Sequence, residues 1–221
     1  MTGASRINDS INSKISILKN ISPSEILTDR FIPNSFSSFF SFTIDDSERF
    51  IFNFKNYLKG NDISTENINF DSLNLINEIN FIEDQEKFII LGITNIDNLE
   101  SYFELSEFNN LNNIKKINID KGLEILINSF DQEILTNYAT LIDNSLVITE
   151  SVSQIKKIIN SERINDNLNS NSKYLNFKNQ KSKKYSFLWV NNTSSLESIQ
   201  KNSNLIESEV YPFISISGVI N

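Results

Sequence analysis

Apolar positions along this chain switch between a two-residue period and a three-to-four-residue period, and the switch recurs where a strand hands over to a helix. The clearest instance is residues 138–160, YATLIDNSLVITESVSQIKKIIN. Leu146, Val147, Ile148 and Thr149 favour extended chain, and Asp143 with Asn144 suits the tight turn joining them to the strand before. Ser151 is placed to cap the next element, with Gln154 three residues on to reach back, and Val152, Ile155, Ile158 and Ile159 make one helical stripe. Lys156 and Lys157 stand toward the helix end where positive charge is favoured.

The rest of the chain repeats parts of this plan. Ile7, Ile11, Ile15 and Leu18 predict a short amphipathic helix over residues 7–20 that packs on the domain. Phe36, Phe40, Phe42 and Ile44 mark a strand with Phe39 on its other face, and Asp45 and Glu48 have cap-box spacing ahead of a helix that stops at Gly60. Leu73, Ile76 and Ile79, three residues apart, predict another short helix between Phe70 and Phe81. KFIILGIT, residues 87–94, is a dense apolar strand suited to a central place, with Gly92 at a bulge or a close contact. Asp97 and Glu100 repeat the cap spacing.

Residues 114–120, IKKINID, alternate as an edge strand does, Gly122 suits a turn, and Leu123, Ile125 and Ile127 alternating with Glu124, Leu126 and Asn128 predict a further strand. Residues 161–183 read as a mobile connection anchored by Leu168, Tyr174, Leu175 and Phe177. Residues 184–190 give another strand, Ser194 and Glu197 a fourth cap spacing, and residues 210–220 a final strand that would lie at an edge if the chain continues into a larger sheet.

These elements predict an α+β fold: a mainly antiparallel sheet, because the connections are too short for parallel crossovers, with short amphipathic helices packed on one side. Cap candidates at 45, 97, 151 and 194 suggest a loose duplication. Chance is the rival account, since such spacings are common in this composition. The domain reading is an N-terminal segment, 1–22, followed by one domain, 23–221. That domain is divisible into loosely repeated halves 23–120 and 121–221 and belongs to a longer chain truncated at its C-terminus.

Composition narrows the chemistry. The 221 residues include no cysteine and no histidine, so neither a disulfide nor a thiolate or imidazole metal ligand is available, and no His-dependent nucleophilic triad can form. A formal charge of -8 opposes nonspecific nucleic-acid binding. The lysines at 181, 183 and 184 read as a solvated loop. No apolar run reaches the roughly 20 residues of a membrane span. The opening MTGASRINDS shows neither a basic n-region nor an apolar h-region, which leaves a cytoplasmic protein or one whose targeting segment lies outside this sequence.

The succession FIPNSFSSFFSFTIDDSERFIFNF, KFIILGITNIDNLE and YATLIDNSLVITESVSQIKKIIN resembles the DUF3352-like family of bacterial envelope proteins. The resemblance spans most of the chain and carries no catalytic motif. It implies an exported or lipid-anchored protein, in the periplasm or attached to the outer membrane, with any lipid anchor upstream, since no lipobox cysteine is present.

Asp45, Asp46 and Glu48, and Glu83, Asp84 and Glu86, are the acidic clusters. The first lacks the ligand order and turn glycine of an EF-hand, and helix capping accounts for it; a solvated turn accounts for the second. Gly60, Gly92, Gly122 and Gly218 form no phosphate loop. Tyr185, Phe187 and Trp189, placed on one strand face, could stack on a sugar or peptide, with core packing as the structural alternative. No catalytic, cofactor-binding or metal-binding residue is nominated. The leading function is a noncatalytic binding or structural module of the cell envelope, acting on another envelope protein or on further domains of its own parent chain. The alternatives are a divalent-cation hydrolase built on the clustered acids and a cytoplasmic adaptor.

Overall fold

The computed structural model describes residues 13–109, 113–131, 134–179, 184–192 and 213–218, with backbone alone at 107–109 and 213–218. In chain order the elements are β1 (Ser38–Thr43), α1 (Ser47–Gly60), β2 (Ile76–Glu83), β3 (Lys87–Ile93), α2 (Leu99–Tyr102), β4 (Glu104–Asn109) and β5 (Ile114–Asn118). There follow α3 (Lys121–Phe130), β6 (Tyr138–Ile142), β7 (Ser145–Thr149), α4 (Val152–Arg163), α5 (Ser172–Asn179), β8 (Phe187–Asn192) and β9 (Phe213–Gly218). All nine described strands join one sheet in the order β4-β5-β6-β7-β3-β2-β1-β8-β9. Every pairing is antiparallel, and the α+β architecture expected from the sequence is the one observed.

The helical cover is two-sided, which corrects the one-sided layer. Ile89, Leu91 and Ile93 of β3 join a cluster with Phe50, Phe54 and Leu58 of α1, Leu99 of α2, and Leu123, Leu126 and Ile127 of α3. Phe88 and Ile90 of the same strand join Ile158 of α4, Tyr174 of α5 and Phe31, Phe36 and Leu168. The physical reason lies in β3 and β7, where apolar residues occupy both faces and a single layer would leave half of them in water. Succession and sheet order show a β-α-β-β unit twice, as β1-α1-β2-β3 and β5-α3-β6-β7, the two meeting where β3 pairs with β7. The sequence's cap junctions are not equivalent within it: those at 45 and 97 lead to helices on the α1–α3 face, and that at 151 leads to α4 on the other. The junction at 194 lies outside the described residues.

Several local readings change. The helix expected at Leu73, Ile76 and Ile79 is a 3-10 turn, Asp71–Leu75, running into strand β2. The strand expected at 123–128 is helix α3, whose buried Leu123, Leu126 and Ile127 follow helical spacing and whose Asp120 accepts from Leu123 N–H at 2.8 Å. Gly122 is therefore inside a helix, in contact with Asn69 and Phe70, and not in a turn. The connection at 161–183 contains the end of α4 and the whole of α5, with Leu168 and Tyr174 as buried anchors. The N-terminal helix reduces, within the described residues, to a 3-10 turn over Lys14–Leu18 that buries Ile17 and Leu18.

Other readings stand. Asp143 takes a positive φ of 48° in the β6–β7 turn, and Ser151 caps α4 by accepting from Gln154 N–H at 3.2 Å. The β2–β3 pairing shifts register between Ile76 and Glu78, and Gly92 lies against that bulge, where an added Cβ would come within 2.4 Å of Asn77 Oδ1. Among the described strands β9 ends the sheet order.

Candidate functional site

The face carrying α1 to α3 is packed at its centre, and among the described residues a cleft opens on it where β2, β1 and β8 lie side by side. Strand register places Phe40 of β1 opposite Phe81 of β2 on one side and Trp189 of β8 on the other, an aromatic rung across three strands. One rung inward are Phe42, Ile79 and Phe187, all buried. One rung outward Ser38 pairs with Glu83, and its hydroxyl donates to the Glu83 carboxylate at 3.1 Å. The face thus grades from closed core through aromatic rings to a carboxylate at the rim.

The end of α3 roofs this rung. Phe130 stacks on Phe40 with ring centres 5.6 Å apart and on Phe81 at 5.3 Å. Beyond it Asp131 pairs with Lys87 at 2.9 Å, and Ile134 closes the inner wall. Between roof and sheet lies a cleft of about 250 Å³, lined by Phe40, Phe81, Phe130, Trp189, Glu83 and Asp131 together with Ser38, Ile82 and Ile134. Trp189 and Phe40 are half-buried there. Glu83 is exposed and makes no ion pair among the described residues.

A second groove, about 400 Å³, separates α2 from strands β5 to β7 on the same face. Ile96, Leu99, Leu105, Leu141 and Leu146 supply its apolar walls. The Lys115–Glu100 ion pair, 2.9 Å, spans its edge.

The opposite face holds a buried polar cluster that the sequence reading missed. Glu78, on β2, accepts from Leu27 N–H at 2.9 Å, from Thr28 Oγ1–H at 2.7 Å and from Asn80 Nδ2–H at 2.9 Å. Beside it Asp29 accepts from Tyr174 Oη–H at 3.0 Å and from Lys178 Nζ at 2.7 Å. Burial pushes the Glu78 carboxyl above its ordinary value, against the opposing pull of the Leu27, Asn80 and Thr28 donors. Burial likewise holds the Tyr174 phenol well above its ordinary value, and the Asp29 charge adds to that. Neither cleft reaches these groups, and their geometry ties the 26–31 segment and α5 to the sheet. The signal available in the sequence was Glu78 alternating with Asn80 between apolar residues of a strand.

The acidic residues singled out from the sequence are dispersed. Asp46, not Asp45, caps α1 by accepting from Arg49 N–H at 2.8 Å. Asp45 instead accepts from Ser22 N–H at 2.9 Å, and Glu48 is exposed in the first helical turn. Glu83 is at the cleft, Asp84 pairs with Lys157 at 2.5 Å, and Glu86 accepts from Ser151 Oγ–H at 2.5 Å. At the second junction Asn95, not Asp97, supplies the cap by accepting from Asp97 N–H at 3.0 Å. Among the described residues no three acidic groups cluster as a metal centre would require. Of the aromatics at 185, 187 and 189, Tyr185 packs into the cluster under α4 and α5 while Phe187 and Trp189 share the α1–α3 face. Among the described residues no helix is long and apolar enough to cross a membrane. No protein-family model, curated protein or solved structure matches the chain.

Proposed function

We propose that this protein is a noncatalytic binding module whose working site is the cleft under the end of α3. The observation that carries the reading is the half-buried Trp189, in register with Phe40 and Phe81 and, among the described residues, lining the cleft beside the part of that row that Phe130 roofs. An apolar pocket with a few polar groups at its mouth is the usual form of a small-ligand site, and this volume sits at the small end of the range. Its size suits a head group or one side chain of a larger partner. Ser38 and Glu83 form the one hydroxyl–carboxylate pair in the lining, and no described residue orients the exposed carboxylate in turn, so they lack the third member of an activated nucleophile. Placement in a bacterial envelope, with a partner there, rests on the family resemblance of three segments. A cell-fractionation experiment tests it: the native protein is expected with the envelope, and recovery in the cytosol contradicts that part.

Trp189 is the chain's one tryptophan, so its emission reports the cleft directly. A panel of small neutral, anionic and cationic fragments is expected to contain members that shift Trp189 emission saturably, with Phe40→Ala weakening them while far-UV circular dichroism stays unchanged. A panel that leaves the emission untouched contradicts the binding reading.

A further inference from the structure

We infer that the cleft takes an organic cation, an alkylammonium head group, seated on the Phe40–Phe81–Trp189 rung with its charge toward Glu83. This rests on the binding reading above and names its ligand class. Aromatic faces attract a cation through their quadrupole, and several rings around one charge are the usual way to hold a quaternary ammonium. Here Phe40, Phe81, Phe130 and Trp189 all line one space of about 250 Å³, too small for a drug-sized molecule and suited to a compact head group.

The polar groups at the mouth choose between a cation and a neutral ligand. Ser38 spends its hydroxyl proton on Glu83, so both present acceptors. Asp131 is already matched by Lys87 at 2.9 Å, which leaves Glu83 as the negative charge of the lining that no described cation neutralises. A sugar would need donors as well as acceptors beside the rings, and an anion would meet Glu83 and a chain of formal charge -8. A cation satisfies the carboxylate and the rings together.

The test compares choline with its uncharged isostere 3,3-dimethyl-1-butanol, following Trp189 emission. Choline is expected to saturate the signal at least tenfold more tightly than the isostere. Glu83→Gln, which keeps shape and removes charge, is expected to weaken choline by about fivefold and leave the isostere unaffected. Equal affinity for choline and isostere, or an unchanged choline affinity in Glu83→Gln, overturns the cation and leaves the cleft reading standing. Silence toward both compounds and toward the fragment panel overturns the two together.

Discussion

At the scale of single residues, two positions bear more than their chemistry suggests. Gly122 lies in the first turn of α3 where the helix touches the loop at Asn69 and Phe70, and an added Cβ would stand 2.4 Å from the Asn69 carbonyl oxygen and 2.7 Å from Phe70 Cδ1. Backbone cannot swing aside as a side chain does, so Gly122→Ala is expected to destabilise the protein by about 1–3 kcal/mol, read as a lower denaturant midpoint at unchanged slope. Glu78 supplies a pH dependence. Its carboxyl sits above the ordinary value of 4.5 because it is buried, so the folded state holds that proton more tightly than the unfolded chain. The resulting stabilisation is fully present below about 4.5 and is lost as pH rises through the raised value. Wild-type stability relative to Glu78→Gln should therefore fall with increasing pH across that window; a difference that is flat or rises with pH would contradict the assignment. Neither residue's role was legible beforehand, because each depends on what lies opposite: a loop for Gly122, and the Leu27–Thr28 amides for Glu78.

At the scale of elements, β3, β7 and α4 could be read directly, since local propensity, turn residues and caps agree over them. Two of the misreadings arise from patterns that imitate the wrong period. Asn77 is the extra residue of the β2 bulge, so Ile76 and Ile79 lie on one face of a strand although they are three residues apart, which imitates a helical period. In α3 the run of Leu123, Ile125 and Ile127 imitates alternation, while the buried set is Leu123, Leu126 and Ile127. Helix α4 shows how an element is fixed in place. Its cap residue Ser151 donates to Glu86, and Lys157 meets Asp84, whose side chain is 2% exposed. Lys157→Ala leaves that carboxylate without its cation and is expected to cost about 2 kcal/mol in global stability, with Asp84→Asn in the same background recovering part of it. A full-sized loss unaffected by the second substitution would place the cost elsewhere in α4.

At the scale of the whole molecule, the two β-α-β-β units share one sheet, and one apolar cluster contains Phe50 and Phe54 from the first and Leu126 and Ile148 from the second. Such continuity predicts a single cooperative unfolding transition, with Trp189 emission and far-UV circular dichroism superimposing; two separated transitions would mean independent halves. The candidate site belongs to this scale as well, which is why the sequence disclosed only one part of it. Trp189 drew notice as an aromatic on a strand, but its neighbours Phe40 and Phe81 are set by non-local pairing of β1 with β8 and β2, and the roof comes from a helix first read as a strand. The acidic clusters looked more informative in one dimension and were separated in three, with Glu83 alone reaching the cleft.

The most direct measurement of the central claim is a choline titration of isotope-labelled protein followed by two-dimensional NMR. Saturable shifts at the Trp189 indole N–H and at the amides of Ser38, Phe40, Glu83 and Asp131, with Leu105 and Leu141 of the other groove unmoved, are the predicted result. Shifts centred on Leu105 and Leu141, or none at Trp189 at saturating choline, would contradict it.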